Sequence, residues 1–429
     1  MSVITDDIRK DYGFFREIDA AIAEGDIGPE AVAYLDNAAT TQRPDRVLEA
    51  VNTFYKTVNS NPLRGLYRIS MEATEQYENA RAKVAEFINA SRPEEIIFTK
   101  NASESLNLAA FSLCEKVLKP GDEIVVGIME HHSNMLPWRV AAARHGATVK
   151  YLEPDTDKKT DSCAGGEGLV TPEKLESVLT DKTKIVAVTH VSNVLGRKND
   201  IKEFARICHE RDIVIVCDGS QSVPHEKVDV RELDVDFLAF SGHKMGAPMG
   251  IGVLYGKYGW LEKLPPFLMG GEMIEIVTLD RITYAEIPHR FEAGTVNAGG
   301  AIGLSAAIDY YTELGMDNIV RRENELTEYA FRKLSEIDGI SIIGSEDPDE
   351  HHGILTFVLA DVHPHDIAYI LDEQAHVAIR AGHHCAQPLL RFLGTPSTAR
   401  ASIAFYNTKS EIDRMAACLA GMRRQLGFD

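Results

Sequence analysis

From residue 46 to residue 255 the chain alternates between short apolar segments and longer amphipathic ones. The apolar segments predict strands at Ile96–Thr99, Glu123–Gly127, Thr148–Leu152, Ile185–His190, Ile213–Cys217, Phe237–Phe240 and Gly252–Tyr255. The amphipathic segments predict helices at Arg46–Val58, Met71–Ile88, Ser103–Cys114, Asn134–His145, Pro172–Leu179 and Ile201–Glu210. Strands that are apolar on both faces and separated by helices indicate βαβ units. An α/β fold around a mostly parallel seven-stranded sheet is therefore predicted.

The pattern changes after about Asn297, where longer helices alternate with short strands. These helices are predicted at Ala301–Leu314, Met316–Leu334 and Ser410–Gln425. We therefore predict an N-terminal segment 1–30, a large domain 31–297 and a smaller α+β C-terminal domain 298–429. The N-terminal helix around Ile8–Ala23 is expected to pack on the small domain. The polar, glycine-rich stretch Asp155–Gly168, which contains Cys163, is expected to be a surface loop.

Charge and composition exclude several classes of protein. The formal net charge is −20 at pH 7, which argues against a nucleic-acid surface because such surfaces need clustered Lys and Arg. No apolar run reaches the roughly 18 residues that a membrane span needs. The N-terminus lacks the pattern of a secretory signal, so a cytoplasmic location is expected. The six cysteines are scattered without a CxxC pair; reduced thiols are expected, and neither a disulfide framework nor a metal site is predicted.

One lysine, Lys244, follows an apolar strand inside the glycine-rich turn SGHKMGAPMGIG. Ligands of parallel α/β sheets bind beyond the carboxyl ends of the strands. A lysine held in such a cleft can form a Schiff base with an aldehyde cofactor. Asp218 directly follows another strand in DIVIVCDGSQS, where a carboxylate is costly to bury without a partner. It can keep the ring nitrogen of pyridoxal phosphate protonated, as that cofactor requires.

Other polar residues lie just beyond further predicted strands. Gln221 and Asn193 can hydrogen-bond the phenolic oxygen of that ring, and His131 can stack on its face. The cofactor phosphate needs backbone N–H groups at a helix N-terminus. The segment IIFTKNASESLNLAA supplies a strand, a turn and a helix, with Ser103 predicted as the N-cap. Two further residues can complete the phosphate site, Ser241 and His243.

Each of these residues also has a purely structural explanation. Lys244 can be a solvated loop residue, Asn193 a turn residue and His131 a satisfied core histidine. The segment after residue 100 can be a plain capped helix. Taken singly, the structural explanations are favoured. Taken together, the residues follow different strands of one predicted sheet, which chance explains poorly, so a cofactor site is predicted.

A further segment, RAGHHC, ends in Cys385. A free cysteine is often a small buried hydrophobe, and alone that explanation is favoured. Beside a cofactor site the thiol can instead act as a nucleophile. Cysteine attacks as the thiolate, so a neighbouring Arg380, His383 or His384 can lower its pKa. Gly382 gives the loop freedom to move the thiol.

The chain resembles the fold-type I pyridoxal phosphate enzymes of aminotransferase class V, and among them the SUF-type (group II) cysteine desulfurases. The resemblance runs from about Tyr34 to Gly427. It rests on YLDNAATT, EIIFTK, MEHHSNMLPW, THVSNVLG, DGSQSVPH, SGHKMGAPMGIGVLYG, RFEAGT, RAGHHCAQPL and TARASIAFYNT. As a set these motifs are highly specific.

The resemblance implies a role for each candidate residue. It assigns catalysis to Cys385, Lys244 and His131. It assigns the cofactor ring to Lys244, Asp218, Gln221, Asn193 and His131, and the phosphate to Ala102, Ser103, Ser241 and His243. Thr295 would reach the phosphate of the other subunit, which implies a homodimer. Substrate binding is assigned to Arg400, Asn193 and Arg380, with Arg400 pairing with the substrate carboxylate.

The sequence departs from the family pattern in three places. The family segment N-V-H-R-G-x-H is replaced by NPLRGLY, so Leu63 and Tyr67 stand where the family has histidines. The Gly-Thr-Thr of the phosphate turn is replaced by Asn-Ala-Ser, in which Ala102 can offer its N–H but no hydroxyl. The Gly-Thr-Pro around Thr295 is replaced by Gly-Thr-Val. These departures bear on cofactor affinity and substrate preference, while Lys244, Asp218 and Cys385 are retained.

The activity implied by the resemblance converts L-cysteine to L-alanine and passes sulfur, as a persulfide on Cys385, to an acceptor for iron–sulfur cluster assembly. A zinc-containing acceptor would engage His363 or His365, although the segment DVHPHD is also explained as a turn before a helix. Two alternatives stay open. One is another class V enzyme, such as a selenocysteine lyase, an aminotransferase or an epimerase. The other is a non-catalytic scaffold for sulfur assembly.

Overall fold

The computed structural model describes residues 4–25, 31–154 and 169–428. Its centre is a seven-stranded sheet with the strand order Ile96–Thr99, Gly252–Gly256, Phe237–Ser241, Val214–Asp218, Thr183–Thr189, Glu123–Gly127 and Thr148–Leu152. The strand Gly252–Gly256 runs antiparallel to both neighbours, and the other six share one direction. The predicted α/β fold with a mostly parallel sheet is therefore confirmed.

Two apolar clusters pack against opposite faces of this sheet. Alternate residues of one strand show the division, since Ile97 belongs to one cluster while Ile96 and Phe98 belong to the other. The longer helices around the sheet are Asp45–Thr57, Arg68–Phe87, Ala102–Val117, Leu136–Arg144, Pro172–Val178, Ile201–His209 and Ala298–Leu314. Shorter helical turns are Pro93–Glu95, His132–Asn134, Val230–Leu233, Gly242–Lys244, Tyr258–Leu261 and His289–Phe291. Burial on both faces explains why these strands read as continuous apolar runs in the sequence.

The C-terminal part is built on a second, antiparallel sheet. Its strand order is Ile340–Ile343, Ile354–Leu359, Thr398–Ser402 and Arg380–Gly382. The helices of this part are Met316–Ser335, Pro348–Glu350, Pro364–Ala375, Gln387–Phe392 and Lys409–Gln425. The last of these begins with a capping box between Thr408 and Glu411. A separate hairpin pairs Ile274–Val277 with Ile282–Tyr284.

A short early segment joins this C-terminal sheet. Ala33–Tyr34 pairs in parallel with Val377–Ala378, and Ser402 N donates to Leu35 O at 2.7 Å. The predicted boundary at residue 31 assigns this segment to the large domain, whereas its backbone hydrogen bonds go to the C-terminal part.

The N-terminal helix is interrupted. A 3-10 helix, Asp6–Asp11, and an α-helix, Gly13–Ala23, are separated by Tyr12, whose backbone is extended. The side chain of Arg9 pairs with Glu411 at 3.0 Å, and Phe15 packs against Tyr406. The N-terminal segment therefore contacts the C-terminal helix. The predicted loop at residues 155–168, with Cys163, lies outside the described residues. Among the residues that are described, no helix is both long and apolar enough to cross a bilayer.

Candidate active site

Five strands of the large sheet end around one cavity of about 180 Å³. The carboxyl ends of parallel strands meet at one edge of a sheet, which is where such folds bind ligands. The predicted residues that line the cavity are Ala102, Ser103, His131, Asn193, Asp218, Gln221, Ser241, His243, Lys244, Arg380 and Arg400. The structure thus brings together every predicted site residue except Cys385 and Thr295.

Lys244 lies in the wall of this cavity, at the end of the 3-10 turn that follows strand Phe237–Ser241. Burial lowers the pKa of its ammonium group to about 8; the charge of Asp218 opposes that shift, and the charges of Arg400 and Arg380 add to it. A lysine with a lowered pKa has a sizeable neutral fraction near pH 8. The neutral amine is the form that acts as a nucleophile or a base.

Asp218 and Gln221 also line the cavity. The Asp218 carboxylate is buried and accepts from Ser220 N at 3.0 Å. Gln221 is anchored because Nε2 donates to Ala38 O at 2.9 Å. Its Oε1 is buried and has no hydrogen-bond partner among the described residues. A buried acceptor is costly when unmet, so a polar ligand in this cavity would complete the site.

The phosphate end of the cavity corrects one prediction. The N-cap of the helix Ala102–Val117 is Asn101, whose side chain accepts from Glu104 N at 3.0 Å, and not Ser103. The helix begins one residue before Ser103, so the serine falls in its first turn. Its hydroxyl lies 2.6 Å from the Ser133 hydroxyl. Gly252 makes the Asn101 turn possible, because a Cβ there would lie 2.4 Å from Asn101 Cα.

His131 caps the turn that follows strand Glu123–Gly127, and its Nδ1 accepts from Ser133 N at 3.1 Å. Burial, helped by the charge of Lys244, lowers its pKa to about 3. The imidazole is therefore neutral, as a ring that stacks on an aromatic cofactor can be without adding charge.

Glu130, beside His131, is a site residue that the sequence reasoning missed. Its carboxyl group is 1% exposed and accepts from Thr189 N at 2.8 Å and from Asn134 Nδ2 at 2.6 Å. Burial raises its pKa well above the usual range. Glu130 therefore ties the His131 turn to the end of strand Thr183–Thr189. Its place in MEHHSN is the signal that could have drawn attention to it.

Arg400 enters the cavity from the small sheet and is 1% exposed. Its Nη1 donates to Asn193 O at 2.8 Å, and its Nη2 donates to Asp36 Oδ1 at 3.1 Å. The Nε group is buried without a hydrogen-bond partner in the described part of the chain. Burial lowers the pKa of Arg400 to about 10. A guanidinium with an unmet donor at the cavity is suited to a carboxylate ligand, and Asp36 is a further residue that the sequence reasoning missed.

Cys385 is half-buried and lies beside the cavity. Arg380, which lines the cavity, places Nη2 3.4 Å from the Cys385 sulfur. His384 and Cys385 have left-handed backbone, with φ of 50° and 57°. His384 is buried, with Nε2 2.8 Å from the Thr398 hydroxyl, and burial lowers its pKa to about 3. Arg380 therefore brings a permanent positive charge into contact with the thiol, and the charged groups of Lys244 and Arg400 also interact with Cys385.

Other predicted residues lie apart from the cavity. Thr295 lines a separate cavity with Lys100 and Asn297, so its predicted role toward the other subunit stays a prediction. In the segment that departs from the family pattern, Leu63 has a left-handed backbone and Tyr67 is 54% exposed.

The two histidines of DVHPHD are both exposed. The rings of His363 and His365 lie 5.1 Å apart between centroids. His365 Nε2 lies 3.6 Å from the point where a Cβ on Gly382 would be. The pair therefore lies beside the loop that carries Cys385.

Comparison with known proteins agrees with this arrangement. Residues 33–415 match the model of the aminotransferase class-V family. A probable cysteine desulfurase of Halalkalibacterium halodurans is 47% identical over 406 residues, which cover 95% of this chain and 97% of that protein.

Solved structures give the same result. The apo structure of a cysteine desulfurase from Thermococcus onnurineus superposes with a TM-score of 0.89 at 38% identity and covers 99% of both chains. A cysteine desulfurase from Escherichia coli superposes with a TM-score of 0.86 at 35% identity, over 97% of this chain and 98% of that one. The chain therefore belongs to the aminotransferase class V family, in the branch of the cysteine desulfurases.

Proposed function

We propose that this protein is a pyridoxal phosphate-dependent cysteine desulfurase, which converts L-cysteine to L-alanine and keeps the sulfur as a persulfide on Cys385. One observation carries the proposal: Arg380 joins the cavity of Lys244 and Asp218 to a cysteine thiol, at 3.4 Å from the sulfur. Aminotransferases and epimerases need no such thiol. The names of the relatives at 44–47% identity support the same activity.

The residues of the cavity fit the cofactor. Pyridoxal phosphate, when bound, draws electrons away from the α-carbon of an amino acid. Asp218 would hold the ring nitrogen, Gln221 and Asn193 its polar substituents, and His131 its face. The backbone N–H groups at the start of the helix Ala102–Val117 would hold the phosphate, because a helix N-terminus attracts anions. The hydroxyls of Ser103 and Ser241 and the ring of His243 would complete that end.

Arg400 and Lys244 act on the substrate. The guanidinium of Arg400 pairs with the substrate carboxylate and so orients the amino acid in the cavity. The amine of Lys244, with its pKa near 8, removes the α-proton as a general base. Removal of that proton prepares the bond between the substrate β-carbon and sulfur for cleavage.

The sulfur then passes to Cys385. Its thiolate attacks the substrate sulfur, a sulfur–sulfur bond forms and the carbon–sulfur bond breaks. The electrons of the broken bond stay with the substrate carbon, which takes up a proton and leaves as alanine. One L-cysteine and one thiol thus give one L-alanine and one persulfide, and no outside oxidant or reductant is needed. The Arg380 guanidinium stabilises the thiolate that starts the attack.

The test is an incubation of the purified enzyme with L-cysteine, L-selenocysteine and a panel of other amino acids, with alanine and sulfide or selenide as readouts. Equimolar alanine and sulfide from L-cysteine are expected when a thiol reductant releases the persulfide. Release from L-selenocysteine alone would instead identify a selenocysteine lyase. No product from any amino acid would favour a scaffold without catalysis.

The partners of this reaction belong to the same proposal. The enzyme acts as a SUF-type desulfurase and a homodimer, with Thr295 facing the phosphate of the second subunit. Its acceptor is a zinc-containing scaffold for iron–sulfur assembly that binds at His363 or His365. The exposure of both rings beside the Cys385 loop supports this docking site. The test compares the affinity of a zinc-loaded scaffold for wild type and for the double variant His363→Ala/His365→Ala. Weaker binding to the variant is expected, and equal affinity would contradict this docking site.

A further inference from the structure

The loop that carries Cys385 contacts the large domain at a residue that has no assigned role. His132 N donates to Cys385 O at 2.7 Å, and His132 Nε2 accepts from Gln387 N at 3.3 Å. His132 thus contacts both ends of the segment Cys385–Gln387, one end through its backbone N–H and the other through its imidazole ring. His132 directly follows His131, so these contacts start from the turn that lines the cofactor cavity.

The second hydrogen bond, from Gln387 N to the imidazole of His132, caps the start of a helix. The short helix Gln387–Phe392 has Ala386 as its N-cap, and no side chain of that helix caps it. The first N–H groups of a helix have no partner within the helix. The imidazole of His132 supplies an acceptor to Gln387 from across the domain boundary, so the start of this helix is fixed relative to the cavity.

The turn that carries His132 and the loop that carries Cys385 each have further hydrogen bonds. The turn that carries His132 is anchored by Glu130, which accepts from Thr189 N and from Asn134 Nδ2. Asn134 Oδ1 in turn accepts from Trp138 Nε1 at 3.0 Å. On the loop itself, Asn193 Nδ2 donates to His384 O at 2.8 Å. Within the loop, the side chains of Cys385 and His384 also contact Arg380 and Thr398. Of these contacts, those of His132 are the ones that join the loop to the turn beside His131.

We propose that His132 is the positioning residue that holds the Cys385 loop in place beside the cavity. Burial and the neighbouring His383 lower the pKa of His132, so its ring is neutral near pH 7 and keeps a lone pair on Nε2 for Gln387 N. Loss of that acceptor lets the loop open. In terms of the desulfurase proposed above, on which this inference rests, an open loop lowers the rate at which the thiol reaches the substrate sulfur.

The test compares His132→Phe, which keeps a ring without an acceptor, with His132→Gln, whose amide oxygen can reach the position of Nε2. The readout is the rate of Cys385 alkylation by iodoacetamide in the purified holoenzyme, followed on the Cys385 peptide by mass spectrometry. We expect alkylation about 3- to 10-fold faster in His132→Phe, since one lost hydrogen bond is worth that much. His132→Gln is expected to stay within about 2-fold of wild type by the same measure.

Gln387→Ala is the matched control, because the contact uses the backbone N–H of residue 387 and not its side chain. Equal alkylation rates in wild type and His132→Phe would overturn the proposal, and so would equal acceleration by the Gln and Phe variants or by Gln387→Ala. Hydrogen exchange at the Gln387 amide of wild type needs no variant. Slow exchange is expected there, and exchange at the rate of an open chain would also overturn the proposal.

Activity separates this inference from the proposed function. With L-cysteine as substrate, persulfide should form more slowly in the first turnover of His132→Phe than in that of wild type, with an unchanged cofactor absorbance. If wild type makes no alanine from cysteine, the proposed function fails, while the alkylation and exchange results still decide the role of His132.

Discussion

Two regions hold their reactive groups in different ways. One is the part of the cavity lining that carries Lys244 and Asp218, here called the floor. The other is the loop that carries Cys385. Lys244 and Asp218 lie at or within a few residues of the ends of neighbouring parallel strands, so the ladder of the large sheet fixes their backbone. Cys385 lies on a loop outside any sheet ladder, held by hydrogen bonds from His132 and Asn193 to its carbonyl groups and by the contacts of Arg380 and Thr398 with its side chains. A loop held by a small number of such contacts can open locally at a lower free-energy cost than a strand in the sheet. A rigid floor suits cofactor chemistry, whereas a releasable loop suits the sulfur transfer proposed for Cys385.

The two regions also differ in charge. On the floor, burial keeps His131 neutral and brings the pKa of Lys244 to about 8. At the loop, the thiol lies beside the permanent charge of Arg380. The floor therefore favours proton transfer, while the loop places a cation next to the thiol. Predictions that separate the two regions follow, in order of decreasing effect.

Lys244→Ala should remove the reactive amine of the floor and so cause the largest loss of activity. General-base catalysis is worth about 10²- to 10⁴-fold, and the covalent anchor of the cofactor is lost as well. Alanine formation from L-cysteine should fall at least about 10³-fold, and the visible absorbance of the bound cofactor should shift. An unchanged spectrum would contradict the role of Lys244. Lys227→Ala serves as the control, because Lys227 is an exposed lysine.

Cys385→Ser should affect the loop alone. Sulfide release should be abolished, because a hydroxyl is not a nucleophile toward sulfur, while the cofactor absorbance stays as in wild type. Cys418→Ser is the matched control, since Cys418 is a half-buried thiol on the C-terminal helix. Desulfuration that survives in Cys385→Ser would show that the thiol is not the acceptor. Loss of cofactor from this variant would show that the loop, like the floor, is needed to hold the cofactor.

Arg400→Gln should weaken substrate binding where the two regions meet. Removing one partner of a buried charge pair costs about 2–5 kcal/mol, so kcat/KM for L-cysteine should fall about 30-fold or more. Cysteamine lacks the carboxylate, and its turnover should be changed much less. The exposed Arg391→Gln is the control. A loss of equal size with both substrates would mean that Arg400 does not bind the carboxylate.

The reactivity of Lys244 in the cofactor-free protein should depend on pH. Its pKa is lowered to about 8, so the neutral amine falls about tenfold for each pH unit below that value. Labelling of Lys244 by an amine reagent, read on its peptide, should therefore rise between pH 6.5 and pH 8.5 and then level off. A rise that continues toward pH 10.5 would mean an ordinary lysine.

Acid should destabilise the protein through its buried histidines. The pKa values of His131 and His384 are lowered to about 3 and those of His190 and His243 to about 4, in each case chiefly by burial. Unfolded histidines bind protons near pH 6.5, so stability is present above that pH and falls as the pH decreases below it. The melting temperature should drop by a few degrees between pH 6.5 and pH 5. A flat profile would contradict the burial of these rings.

The regular core of this fold could be predicted from the sequence, since strands buried on both faces appear as continuous apolar runs. Lys244 and Asp218 could be found for the same reason: each directly follows such a run. The resemblance to a known family added Arg400 and Thr295, for which the pattern alone offers no signal. The cap at Asn101 could also have been predicted, because Asn is a favoured N-cap residue and its hydrogen bond to Glu104 N is local.

Long-range pairing explains the other residues that were missed. Asp36 and Glu130 lie in the motifs YLDNAATT and MEHHSN, but these motifs do not show what the two carboxylates contact. Their roles depend on Arg400 and on Thr189 N, and only the folded arrangement brings these partners together. The break at Tyr12 depends in the same way on packing against residues far along the chain, such as Tyr310 and Tyr406.

The pairing of residues 33–36 with the C-terminal sheet has a consequence for synthesis on the ribosome. Arg400 and Asp36, which meet at the cavity, are 364 positions apart. The early segment leaves the ribosome long before its partners exist, so Arg400 is placed only when almost the whole chain has been made. A growing chain can fold much of the large sheet early, yet it has no complete site, and a truncated product would lack both Arg400 and Cys385.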